Sequence, residues 1–304
     1  MILHTENHVI PAKAGIYSKW IPALFLFIVI LFTNLCLAMP PPKPFPPFHI
    51  MGNLYYVGTD DLASYLIVTS KGNILINSDL QSTVPMIKAN IEKLGFKFSD
   101  IKILLISHAH YDHAGGSKLI KEETHATYMV MDADVPVIES GGKSDFAYAN
   151  KLKVHFPPTT VDKILHDGDQ VKLGGTILTA HLTPGHTPGC TTWTMIVTDH
   201  GRAYHVVILG SENVNGEYKL VNNTQYPTIA KDYEQSFKTL KSLPCDIFLG
   251  AHGGFFNLKE KYPLLTNQFN PFIDPLGYKK YIAKKERAFY KKLNKQRVIP
   301  AKAH

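Results

Sequence analysis

The chain has 304 residues, 45% of them apolar, enough for one large α/β domain with a substantial core. No internal repeat or long low-complexity tract is present, which excludes a solenoid or a largely disordered chain. The net charge of +7 is uneven: residues 279–304 hold ten Lys/Arg against one acid, or +9, and the rest sums to −2. That basic tail comes without aromatic interleaving or a nucleic-acid motif, so no nucleic-acid partner is expected.

Residues 1–38 read as a secretory signal peptide. Lys13 and Lys19 form a positive region, residues 21–33 an apolar stretch too short for a stable span, and Cys36-Leu37-Ala38 a small-residue cleavage site. Residues 39–49 are a Pro-rich arm, which excludes helix or central strand and favours a spacer. The domain itself is expected over 50–304, in the periplasm and free of the membrane once the leader is cleaved.

Along that domain, Leu54–Val57 and Ser64–Val68 read as strands, with a turn at Lys71-Gly72-Asn73 before a third at Ile74–Ile76. Val84–Leu94 has helical apolar spacing and stops at Gly95. Ile101–Ser107 is a strand and Ala114–Glu123 a helix; Val171–Leu182 holds two strands around Gly174-Gly175. Trp193–Thr198, Tyr204–Gly210 and Ile247–Leu249 are strands, and Ile229–Leu243 is a helix. In the basic tail Tyr278, Ile282, Phe289 and Leu293 keep near-helical spacing, so an amphipathic helix should pack that stripe on the domain. Strand-rich halves, each followed by helices, suggest two sheets packed face to face with helices outside. Cys36 leaves with the leader; Cys190 and Cys245 remain, either paired by export or as two buried thiols.

The chemistry concentrates at residues 108–113, where His108, His110, Asp112 and His113 follow the apolar run 103–106. Neutral imidazoles suit zinc, and a carboxylate among them is typical of a catalytic site. If the segment stays extended, 108, 110 and 112 share one side and 113 points elsewhere, an arrangement better suited to two adjacent ions than to one closed cage. His186 in Thr183–Gly189 and His252 in Ala251–Gly254 are also loop histidines just after strands, with Gly or Pro fixing the backbone. The six residues divide into two three-ligand sets with open positions. Two zincs could share a hydroxide whose parent water has a pKa lowered to about 7, which suits hydrolysis of an ester or amide.

With these residues in hand, the chain resembles the metallo-β-lactamase superfamily, and within it the third subclass of the class B β-lactamases. The likeness runs from Asn53 through Cys245-Asp246 and His252. It implies an αββα sandwich of two packed mixed β-sheets with helices on both outer faces. It implies one zinc on His108, His110 and His186 and a second on Asp112, His113 and His252. It further implies a monomeric, secreted enzyme that opens the lactam of penicillins, cephalosporins and carbapenems through a zinc-bound hydroxide and confers antibiotic resistance, with Asp112 catalytic. Ser211 decides the subclass, since the first subclass has a zinc-binding Cys there and glyoxalase II-like hydrolases a bridging Asp. Ser211 would order water or meet the substrate carboxylate, Tyr218 would help the oxyanion, and Asn215 and Tyr148 would line the pocket. The chain departs from the family at Asn213, often a second serine, at the preceding Glu212, and at Asn77, where many members carry Asp. Lactone or thioester hydrolysis and a metal-sequestering or diiron redox protein are the competing readings. Ser211 and the leader count against the thioesterase, and five histidines against diiron chemistry.

Overall fold

Residues 42–298 are described by a computed structural model; the expected signal peptide lies outside them. The first half of the chain builds a seven-stranded sheet in sequence order. Its strands are β1 (Phe48–Met51), β2 (Leu54–Tyr56), β3 (Tyr65–Thr69), β4 (Gly72–Ile76), β5 (Ile101–Leu105), β6 (Thr127–Met131) and β7 (Lys163–Leu165). Pairing is antiparallel from β1 to β4 and parallel from β4 to β7. The second half builds a five-stranded sheet, ordered β12-β11-β10-β9-β8, from β8 (Gln170–Leu173), β9 (Thr176–Leu182), β10 (Thr191–Asp199), β11 (Arg202–Leu209) and β12 (Ile247–Gly250). Only β11 and β12 run parallel there, so both sheets are mixed.

Alternation along the strands sorts side chains into two cores. Ile67, Ile74, Ile76, Ile103 and Leu105 point into the layer between the sheets and meet Leu178, Trp193, Met195 and Val197. Leu66, Leu75, Ile101 and Leu104 point the other way, under α1 (Val84–Lys93) and α3 (Ser117–Thr124). Beside the second sheet, α5 (Ile229–Ser242) and α7 (Pro275–Val298) pack on each other, and α7 also packs on β12. The α7 stripe is the expected one, Tyr278, Ile282, Phe289 and Leu293. Short helices α2 (Tyr111–Ala114), α4 (Val135–Ser140) and α6 (Leu258–Lys261) complete the set, giving the expected αββα sandwich. Among the described residues no helix is long and apolar enough to cross a membrane.

Two expectations change for physical causes, and the alternative left open for the cysteines closes. The helix expected over Ala114–Glu123 is broken at Gly115-Gly116, where a Cβ would meet the Tyr111 and Ser78 carbonyls at 2.3 and 2.4 Å. Part of the Pro-rich arm packs on the domain: Phe45 stacks edge-on against Tyr56 and Tyr262, and β1 begins at Phe48. Cys190 and Cys245 are both free thiols, their sulfurs turned to the Ser211 and Ile247 carbonyls.

Candidate metal centre

The first cluster begins where β5 gives out. Asn77, held at φ +67°, donates to the Ala63 carbonyl and accepts the Ser107 amide at 2.8 Å, which fixes how the chain leaves the strand. His110 is still extended, and its carbonyl then receives the amides of His113 and Ala114 at 3.0 and 2.8 Å, starting the α2 turn. His108 therefore projects from the bend that follows β5 and His110 from extended backbone, whereas Asp112 and His113 project from a helical turn. This corrects the expectation that 108, 110 and 112 share one side: the turn places the donor atoms of His108, Asp112 and His113 within 4.8 Å of one another.

The second half of the chain brings two more imidazoles to the same place. His186 follows β9, after Gly185 at φ +129°, where a Cβ would strike the Tyr233 ring at 2.7 Å; only glycine lets the loop turn that close to α5. His252 follows β12 and bridges to Leu62, while the next amide, Gly253, donates to the Asp61 carbonyl at 2.6 Å.

Three of the five imidazoles have one nitrogen hydrogen-bonded to a neighbour outside the cluster, and a fourth, His110, has a carboxylate close to Nε2 without a hydrogen bond. Ser107 Oγ lies 3.3 Å from His108 Nδ1, Asp145 Oδ2 3.4 Å from His110 Nε2, the Asn213 carbonyl 2.8 Å from His186 Nδ1, and Asp61 Oδ2 2.9 Å from His252 Nδ1. Such outer partners set tautomer and ring orientation in metal sites. The donors of His108, His110 and His186 fall within 4.8 Å of one another. In the other set, His113 Nε2 and His252 Nε2 are 3.1 Å apart, and Asp112 Oδ2 lies 3.5 and 3.7 Å from them. A four-coordinate divalent ion with bonds of about 2.0–2.1 Å needs donors about 3.4 Å apart, so these three fit one.

Electrostatics favour the ligating forms of His108, His186, His113 and Asp112. Burial and the adjacent imidazoles hold His108 and His186 well below the ordinary histidine value, and burial takes His113 down to about 3. Burial alone would raise Asp112, but His113, His252 and His110 outweigh it and keep the carboxylate ionised. Burial also pulls on His110 and His252, yet Asp145 and Asp61 carry each above the usual value. Three imidazoles held neutral and an ionised carboxylate fit a divalent metal, whose binding would displace any proton from His110 and His252.

A profile of the metallo-beta-lactamase superfamily matches residues 57–252, from the end of β2 to the last histidine of the site. The chain belongs to that superfamily. Among solved structures, it is similar to the native FEZ-1 metallo-beta-lactamase of Legionella gormanii, with 67% identity over 85% of this chain and 99% of that one and a TM-score of 0.84. BJP-1, a subclass B3 metallo-beta-lactamase of Bradyrhizobium japonicum, shares 40% identity over 84% of this chain and 96% of its own, with a TM-score of 0.79. A probable metallo-hydrolase of Methanocaldococcus jannaschii is 29% identical over 126 residues, 41% of this chain and 58% of that protein. The chain spans about half the length of the curated relatives it matches.

Around this superfamily site the other expected residues fall into place unevenly. Tyr148 packs its ring 5.2 Å from that of His110 and receives an Asn215 Nδ2 hydrogen bond at 2.6 Å, so the two stand together at the His110 side. The Asp145 carboxylate takes the Ala147 and Tyr148 amides and so anchors the Tyr148 segment beside the site. Ser211 is buried, and its Oγ accepts the Asn213 amide at 3.4 Å within the turn. Tyr218 differs from expectation. It is 2% exposed and its hydroxyl donates to the His186 carbonyl at 2.9 Å, behind a ligand rather than open to an oxyanion.

Sequence reasoning missed Asp134. Fully buried, it accepts the amides of Ala109 and Gly189 and the Thr187 hydroxyl, all at 2.8–2.9 Å, and so ties the 108–113 segment to the His186 loop. Gly189 carries the only local signal, because a Cβ there would meet Asp134 at 2.6 Å. Asp61 and Asp145, the outer partners of His252 and His110, were equally unmarked.

Proposed function

We propose that the protein is an exported, di-zinc β-lactamase of the third class B subclass, with His108, His110 and His186 holding one zinc and Asp112, His113 and His252 the other. It is a hydrolase of the metallo-beta-lactamase superfamily. The observation that carries the reading is the pair of three-donor sets, side by side at one end of the sandwich, in a chain that matches FEZ-1 along 99% of that enzyme's length. When bound, the metal supplies Lewis acidity and an acidified water that serves as nucleophile at neutral pH. The chain's own residues orient and exclude. Asp61, Asp145 and the Asn213 carbonyl fix three imidazoles, Tyr218 and Asp134 brace the loops that carry them, and the Tyr148–Asn215 pair offers polar contacts beside His110. Ser211 lies in the turn nearest a substrate carboxylate on this reading. The leader expected at residues 1–38 supports periplasmic delivery, and a monomer free of the membrane completes the proposal.

The test is loss of lactam absorbance on mixing the purified mature protein with a penicillin, a cephalosporin and a carbapenem, with and without a chelator, alongside elemental analysis. The expected result is chelator-sensitive hydrolysis with about two zincs per chain. Hydrolysis of a lactone or thioester with no lactam turnover, or a stoichiometry near zero, would overturn it.

A further inference from the structure

Helix α7 lays a polar stripe along the 213–220 loop. Lys285 Nζ bonds the Asn213 side-chain oxygen, Lys292 Nζ bonds the Asn215 and Gly216 carbonyls, and Gln296 takes the Leu220 amide at 2.6 Å and gives to the Tyr218 carbonyl at 2.8 Å. Steps of seven and four residues keep 285, 292 and 296 on one face. Lys292 and Gln296 bond main-chain groups, so they act as a splint. Lys285 is different: it holds a neutral side-chain amide and has no carboxylate within 4.0 Å among the described residues.

Its surroundings place that cation beside both donor sets. Asn213, its acceptor, receives His186 Nδ1 on its own carbonyl. On the other side Lys285 Nζ lies 5.5 Å from the Phe255 ring, which packs 5.1 Å from the His252 ring. The half-buried ammonium therefore stands one residue removed from His186 and one from His252. Glu212, the acid that departs from the family pattern, is near enough for its charge and that of Lys285 to act on each other, but the two form no ion pair within 4.0 Å among the described residues. The Glu212 carboxyl is 2% exposed, neither oxygen has a hydrogen-bond partner, and burial pushes it up to about 8, leaving it mostly uncharged at neutral pH.

We propose that Lys285 is the cation that receives the ring carboxylate of the substrate, standing behind Asn213 where many relatives present a serine. The proposal rests on the β-lactamase reading and narrows it to anionic lactams. On binding, the substrate carboxylate replaces the neutral Asn213 oxygen as the partner of the ammonium, a stronger, charge-assisted bond.

The test uses metal-loaded mature enzyme and two probes, a penicillin with its carboxylate free and the methyl ester of the same penicillin. In the parent the ester should be poorer by about tenfold or more, through KM. Lys285→Met keeps the stem against Phe255 and Tyr281; it should raise KM for the acid by about tenfold, hold kcat, and leave the ester unchanged, so that the two probes converge. Lys285→Arg should restore the preference for the acid. KM for the acid should also climb with salt in the parent and not in Lys285→Met. An equal fall for acid and ester, with a lowered Tm, would make Lys285 a structural residue and overturn the proposal, as would an acid KM unchanged in Lys285→Met. A parent that opens neither probe refutes the β-lactamase reading itself, and the anchor falls with it.

Discussion

Replacing Tyr218 by Phe separates two roles by magnitude. The ring would stay, packed 5.0 Å from Phe146 and 5.9 Å from His186, so no cavity opens. What is lost is the hydroxyl that donates to the His186 carbonyl at 2.9 Å in a site closed to water. A buried carbonyl left unpaired costs about 1–3 kcal/mol. For a domain of this size, each kcal/mol lowers Tm by roughly 2–4 °C. Tyr218→Phe should therefore melt about 2–12 °C below the parent, while kcat falls no more than a few-fold as the His186 loop loosens. An oxyanion donor would behave in the opposite way, with kcat down about 10²–10³-fold and stability untouched. Calorimetric melting and steady-state kinetics on the same preparation read both quantities. A fall in kcat of a hundredfold at constant Tm would refute the positioning role and return Tyr218 to the oxyanion.

Asp112→Asn should cost orders of magnitude in turnover and bring zinc from about two per chain toward one, because a neutral amide is a poor ligand; near-normal turnover would remove Asp112 from the site. Glu212 provides a pH test. Burial raises its folded-state value from 4.5 to about 8, so its contribution is fully present below pH 4.5 and is lost as pH rises through about 8. Glu212→Gln should accordingly have a flatter dependence of urea midpoint on pH between 6 and 8.5, and gain on the parent at the alkaline end; parallel curves would show that the acid is not held uncharged.

Much of the fold was legible because period-two alternation and period-3.6 stripes are local signals. Leu66 and Ile67 declare opposite faces of β3, and Tyr278, Ile282, Phe289 and Leu293 declare one face of α7. The six donors were legible because strand ends followed by Gly- or Pro-fixed histidines are also local. The α2 turn was not, since it depends on the His110 carbonyl taking two amides and on two glycines that admit the Ser78 and Tyr111 carbonyls. Nor were Asp134, Asp145 and Asp61, whose contacts with Ala109, His110 and His252 span 25, 35 and 191 residues of sequence. Tyr218 was expected near the oxyanion from the family resemblance, which carries no packing information; its hydroxyl answers to a carbonyl 32 residues back.

Each proposed donor set takes two residues from the first sheet's loops and one from the second's: His108 and His110 with His186, Asp112 and His113 with His252. On the proposed assignment, each ion is a removable cross-link between the two halves of the sandwich. A ligand that binds only the folded state adds about 2.7 kcal/mol at a hundredfold excess over its Kd, and two such ions fasten the same seam. Zinc supply would then govern how long the protein survives as well as how fast it works. In a zinc-starved compartment the halves would part more often, and proteases would clear the enzyme before its chemistry became limiting.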